Sequence, residues 1–183
     1  MMNPTPPAAM AVASFWREAG PGRWFAKDAA FDGAFATRFA ADHAIAAAGG
    51  HDAWAETAEG ALALVLLLDQ YPRNAFRGAP AMYATDAAAR RIAAAAVAAG
   101  HDRAVDPGLR HFFYLPFGHS EDPADQDRSV ALAQDLGQPS LGHAEGHRDI
   151  VRRFGRFPHR NPILGRITTP DEQRFLDGGG FAG

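Results

Sequence analysis

The sequence predicts an all-α protein of about eight helices, joined by short turns so that neighbours run antiparallel, and three observations lead there. Helix start and stop signals recur from end to end. Runs of β-branched residues with period-two alternation, the mark of half-buried strands, are absent. The one run apolar enough to be a buried strand, Ala61 to Leu68, is made of alanine and leucine with Val65 as its lone β-branched residue, which favours helix there too.

The elements follow in order. Thr5 and Pro6 start a first helix, which Gly20-Pro21-Gly22 stops. Asp28 caps a second that runs to Gly49-Gly50 and sets Phe31, Phe35 and Phe39 on one face at i, i+4, i+8. Thr57 caps a third, apolar all round and therefore expected at the centre of a core. Pro80 opens an alanine-rich fourth ended by Gly100, and Asp106-Pro107 a fifth that contains His111 to Leu115. Asp122-Pro123 starts a sixth, stopped at Gly137, and Ser140 caps a seventh that ends near Phe154-Gly155. Thr169-Pro170-Asp171-Glu172 is a capping box for a short eighth. Helices two to seven form three helix-turn-helix pairs of about forty residues each, the period of α-solenoid repeats.

A chain of 183 residues, 47% hydrophobic and 21% charged, suits a single domain over residues 1–183, with 1–4 and 178–183 expected as loose ends. The absence of cysteine excludes disulfides, thiolate metal sites and a cysteine nucleophile, so any chemistry must use histidine, arginine, carboxylates or hydroxyls. The opening residues lack both a basic start and a long apolar run, and Arg17 and Glu18 interrupt any early span, so a cytoplasmic location is expected. A net charge of −3 gives no global attraction to nucleic acid or to an anionic membrane, and neither is expected as a partner.

The densest chemistry lies between His147 and Arg166, where six arginines face one acid, Asp149. Guanidinium groups bind carboxylate or phosphate through paired hydrogen bonds, so one reading is a pocket for a small anion. The other is neutralisation by the acids of Glu121 to Asp135. His147 shares a helical face with Ile150, Val151 and Phe154, and His143 lies one turn earlier, so both imidazoles are expected to point inward. The pair lacks the order of a zinc-peptidase motif and a third ligand, so no metal site is assigned. The string HSED combines a potential general base, His119, with Glu121 and Asp122, though Asp122 before Pro123 also reads as a helix cap. Asp69 follows an apolar run at a helix end, where the macrodipole disfavours an acid. It therefore needs a cation, with Arg73, Arg77 and Arg38 as candidates, and Arg38 has Asp42 as a local option. The strings YPRN (Tyr71 to Asn74) and FPHRN (Phe157 to Asn161) echo each other, each placed after a predicted helix end.

These motifs together, with FW at Phe15-Trp16, WF at Trp24-Phe25, FD at Phe31-Asp32, LDQYPRN from Leu68, HSED from His119 and FGRFPHRN from Phe154, make the chain resemble the bacterial domain-of-unknown-function family 924 from Phe15 to Phe181. The resemblance implies a tetratricopeptide-like helical fold and brings no established reaction, substrate, cofactor or catalytic residue. His119, His147 and His159 belong to the family pattern, whereas His143 does not.

Two functional expectations follow. One is a small-molecule site, with or without catalysis. There Arg73, Asn74, Gln70, Arg156, Arg160 and Asn161 hold an anion, while His119, His147 or His159 moves a proton and Glu121 or Asp69 orients it. The other is a helical-repeat scaffold that takes a peptide or partner protein in an apolar groove, the polar motifs then being structural.

Overall fold

The computed structural model describes residues 4–183, and every regular element among them is helical. The described residues pack as two compact units, one up to Arg77 with Ala81–Pro116, the other Phe117–Gly183 with Gly78–Pro80. No described helix is long and apolar enough to cross a membrane.

In the first unit, α1 (Pro7–Ala19) begins one residue after Pro6, and the Thr5 hydroxyl, instead of capping it, donates to Thr57 Oγ1 at 2.8 Å. A four-residue turn, α2 (Pro21–Trp24), follows the glycine stop, and the Trp24 indole N–H donates to the Trp16 carbonyl at 2.7 Å. Asp28 caps α3 (Ala29–Ala47) by accepting the amides of Ala30 and Phe31, as its position before the apolar stripe requires. Phe31, Phe35 and Phe39 are buried against α1: Phe31 and Phe35 stack on Phe15, Phe39 meets it edge-on and Trp16 lies tilted on Phe35. Thr57 caps α4 (Ala58–Val65), which is buried from Gly60 onward, the central helix that an all-round apolar run demands.

That helix does not stop at YPRN. It passes through a π-helical turn, Leu66–Gln70, into α5 (Tyr71–Ala75), with the Tyr71 N–H reaching back to Leu66 O. Proline at 72 has no N–H and would crowd the carbonyl four residues earlier, and the wider turn relieves this. Side chains then serve the loosened carbonyls. His43 Nδ1 donates to Leu67 O at 2.9 Å, Thr85 Oγ1 to Leu68 O at 2.6 Å and Arg73 to Asp69 O at 2.8 Å. The echo with FPHRN is therefore one of letters, since FPHRN follows a genuine helix end at Gly155 (φ +70°).

Two expected starts move. Pro80–Tyr83 forms a 3₁₀ turn, and the helix proper, α6 (Asp86–Ala98), begins where Asp86 suits the positive end of the dipole and faces Arg73. The segment after Asp106 is likewise 3₁₀ (Pro107–Phe113), followed by α7 (Leu115–Gly118).

The second unit is built on an antiparallel pair, α8 (Pro123–Gln134) and α9 (Ser140–Phe154), packed through Val130, Ala133, Ala144 and Leu141. Asp122 caps α8 through the Ala124 amide. Ser140 is already inside α9, whose flanking residue is Pro139, and Gln138 Oε1 takes the Gly142 amide instead. A 3₁₀ turn, Pro158–Arg160, leads to α10 (Asn161–Leu164), and the Thr169–Glu172 capping box opens α11 (Pro170–Asp177). Phe157, Ile150 and Val151 make the core, with Phe154 and Phe175 against it. Of the closing residues, Gly180 N–H donates to Phe175 O at 2.9 Å and Phe181 packs on two imidazoles, while the loose start expected over 1–4 lies, at residues 1–3, outside the described ones.

Candidate functional site

The turn after α7 carries His119 and is pinned from below. Gln126 is fully buried and donates its amide to the carbonyls of Gly118 at 2.8 Å and Ser120 at 2.6 Å. Ser120 Oγ accepts the Asp122 amide, a local turn bond, and Asp122 is spent as a cap. Two residues of HSED are thus punctuation, which leaves His119 and Glu121 facing the FPHRN turn.

Glu121 ties the two turns together. Its carboxylate accepts the Phe157 amide at 2.9 Å and both terminal nitrogens of Arg166 at 2.9 Å. Burial works to raise its pKa. The hydrogen bonds from Arg166 and Phe157, with the charges of Arg166 and Arg160, outweigh burial and hold the carboxyl below its ordinary value. Arg160 is buried, donates to His119 O at 2.9 Å and lies over the Phe157 ring at 4.6 Å.

Glu172 fixes the other side of FPHRN. Its oxygens accept Arg156 Nε at 2.6 Å and Nη2 at 2.9 Å, the Thr169 amide at 2.7 Å and Asn161 Nδ2 at 3.3 Å. The Arg156 hydrogen bonds dominate, burial opposes them, and the carboxyl is held at about 2. Asn161 is fully buried, and its backbone carbonyl takes the Arg166 amide at 2.8 Å.

Three imidazoles meet on this platform. The His147 ring stands 5.4 Å from Phe157, 4.7 Å from Phe181 and 6.5 Å from His119, and Phe181 also packs on His159 at 5.1 Å. Burial, the charge of His119, and those of Arg160 and His159 push His147 down to about 3, against a hydrogen bond to the Gly118 carbonyl that favours the protonated ring. His147 is thus neutral at ordinary pH, with one nitrogen committed as a donor and the other left with a lone pair.

Within the second unit, then, the fold brings together His119, His147, His159, Glu121, Arg156, Arg160 and Asn161. Asp69, Gln70, Arg73 and Asn74 lie in the first unit, around the π turn. Asp69 is fully buried and is met by Gln70 Nε2 at 2.5 Å and Arg73 Nη1 at 3.3 Å, while Arg73 forms a bidentate pair with Asp86 at 2.8 and 3.1 Å. Asn74 donates to Asp32 at 2.6 Å, beside the Arg77 to Asp32 pair.

Several expectations are corrected. Of the three cations considered for Asp69 it is Arg73 that meets it. Arg77 pairs with Asp32, and Arg38 lies over Phe15 and Phe39, while Asp42 faces His51 at 3.3 Å. His143 is exposed, which separates it from inward-facing His147, and among the described residues no group of three or more acids and histidines could hold a metal ion. The arginine-rich segment is neutralised partly as foreseen, by Glu121 on Arg166 and Asp127 on Arg152, but Arg156 takes Glu172, which sequence reasoning had read only as a capping residue. Phe157 and Phe181 were missed as site residues because an aromatic between charged neighbours carries no signal of what it will touch.

The fold and site together define an all-helical protein with a partly buried, imidazole-lined platform. The chain belongs to the family described as bacterial protein of unknown function (DUF924), whose profile matches residues 12–180. It is similar to a solved structure of a protein of unknown function from Agrobacterium tumefaciens, with 57% identity and a TM-score of 0.92 over 94% of this chain and 98% of that one. No curated protein matches it.

Proposed function

We propose that the second unit binds a small anion, a carboxylate or a phosphate, at the face made by His119, His147 and His159 beside Arg160, with the neutral His147 able to accept a hydrogen bond from the bound molecule. The convergence of three imidazoles around Phe157 and Phe181 carries this reading. Burial is the main reason His147 sheds its proton, but the charges of His119, Arg160 and His159 act in the same direction, and that part of the field favours an added negative charge. Glu121, Arg156 and Asn161 are positioning residues in this reading: the Glu121 carboxylate, the Arg156 guanidinium and Asn161 Nδ2 are engaged in holding the two turns at fixed spacing. In the first unit Asp69, Gln70 and Arg73 brace the π turn and Asn74 holds Asp32, and this reading assigns them no ligand.

The test is a titration of the full chain with inorganic phosphate and with acetate, read by the imidazole proton resonances and by melting temperature. Saturable movement of the His119, His147 and His159 signals is expected together with a ligand-dependent rise in melting temperature, and both the His147 movement and that rise should be lost in His119→Gln with His159→Gln. Resonances that do not move, with a flat melting curve for both anions, refute the proposal.

A further inference from the structure

Sharing Phe181 with the imidazole platform, α9, α11 and the closing residues of the second unit line an open cavity of about 310 Å³. That is the lower end of the range for small-molecule pockets, roughly 300 to 1,000 Å³, and suits something the size of an amino acid better than a nucleotide. Its apolar wall is Ile150, Phe154, Phe175 and Phe181.

Two charges complete the lining, Asp149 and Arg153, one turn apart on α9. Opposite charges at i, i+4 ordinarily pair. Here they do not: Arg153 lies over the rings of Phe154 at 4.6 Å and Phe175 at 5.8 Å, and among the described residues it has no carboxylate partner. Asp149 has only a 3.9 Å approach from Arg148 Nε. The cavity thus presents one cation and one anion, held apart, above an aromatic floor.

The remaining lining residue is Gly146, in the interior of α9, where glycine weakens a helix relative to alanine. Nothing lies within 4 Å of where its Cβ would be, and its φ is not in the left-handed region, so neither packing nor backbone conformation calls for glycine. Gly142, one turn earlier, differs, since an added Cβ there would meet Gln138 Oε1 at 2.8 Å. The consequence of glycine at 146 is an open wall.

We infer that this cavity binds a small zwitterion with an apolar side chain, of the α-amino-acid type, its ammonium on Asp149, its carboxylate on Arg153 and its side chain against Phe154, Phe175 and Phe181. A net-neutral pair of separated charges recognises a molecule carrying both signs, whereas a plain anion would leave Asp149 opposing it.

The test uses the full chain and L-phenylalanine, followed by backbone amide resonances. Saturable shifts at Gly146, Ile150 and Phe175 are expected, with affinity about tenfold weaker for phenylacetate and for phenethylamine, each lacking one charge. Arg153→Gln and Asp149→Asn should each weaken phenylalanine similarly. Gly146→Leu should fill the cavity and abolish binding while melting no lower than the parent. Absence of saturable shifts at millimolar phenylalanine overturns the inference. So does phenylacetate binding as well as phenylalanine, or Arg153→Gln binding unchanged. The two sites share Phe181, so they are separated by variants: His119→Gln with His159→Gln should leave phenylalanine binding unchanged, and Arg153→Gln should leave phosphate binding unchanged.

Discussion

Replacing His147 by asparagine tests the environment on which the anion site depends. Asparagine keeps a side-chain N–H for the Gly118 carbonyl and removes the titrating ring. At pH 7.5 the loss is of packing alone, the ring's contacts with Phe157 and Phe181, and two aromatic contacts are together worth about 2 kcal/mol. Lowering the pH changes the comparison. The His147 pKa is lower in the folded chain, about 3, than its ordinary 6.5. The unfolded chain therefore takes up the proton first, and the stability His147 contributes is whole above about 6.5 and drains as pH falls toward 3. At pH 5 the parent has lost about 1.5 pH units' worth of that difference, about 2 kcal/mol, and the variant has lost none of it. The two proteins should therefore be equally stable near pH 5. His111, which burial holds at about 4, destabilises both alike in acid and cancels in the difference. Urea unfolding at pH 7.5, 6 and 5 measures the gap. A gap that does not change with pH, or a His147 resonance that titrates near 6.5, would refute the claim that this imidazole is desolvated among cationic neighbours.

Three other perturbations have definite expected outcomes. Glu172→Gln should lower the melting temperature at pH 7 and flatten the acid limb of the stability profile. The carboxylate's contribution is whole above its ordinary 4.5 and is lost as pH falls toward its folded value of about 2, and thermal melts between pH 7 and 3 read this directly. Asp69→Asn leaves Arg73 with Asp86 but removes the buried partner at the π turn, and should cost about 3 kcal/mol in chemical denaturation. Gly146→Ala should stabilise the chain by about 0.5 to 1 kcal/mol, since α9 gains propensity and an added Cβ meets nothing, and the check is a higher denaturation midpoint at unchanged m-value.

What could be read in advance follows from the range over which each signal acts. The caps at Asp28, Thr57, Asp122 and Thr169 were legible because a cap is decided within three residues, and all four hold their amides. Ser140 and Pro80 were misplaced because a preceding proline and a 3₁₀ turn compete on the same scale, and small differences choose between them. The π turn was invisible because its carbonyls are served by His43 and Thr85, 24 and 17 residues away from their acceptors. For the site, residue type showed which groups need partners but not which partners they take. Arg156 with Glu172 and Arg73 with Asp86 join helices whose approach no local pattern encodes.

That distinction separates residues that shape the site from those available to act in it. An arginine whose nitrogens already hold a buried carboxylate cannot take a ligand without breaking that pair, and removing one partner of a buried pair costs about 3 to 5 kcal/mol. Arg73, by this argument, is structural however suggestive its motif, Arg156 is held in the same way by buried Glu172, and Arg166 is held bidentately by half-buried Glu121. The groups with capacity to spare are of another kind. One is the neutral His147, with a nitrogen still open on an imidazole face. The other is Arg153, resting on aromatic rings that a ligand could share without displacing any carboxylate. The arginine-rich segment thus divides by pairing: its closed ion pairs fix the turns, and its open groups are where an incoming molecule gains free energy without an equal loss inside the protein.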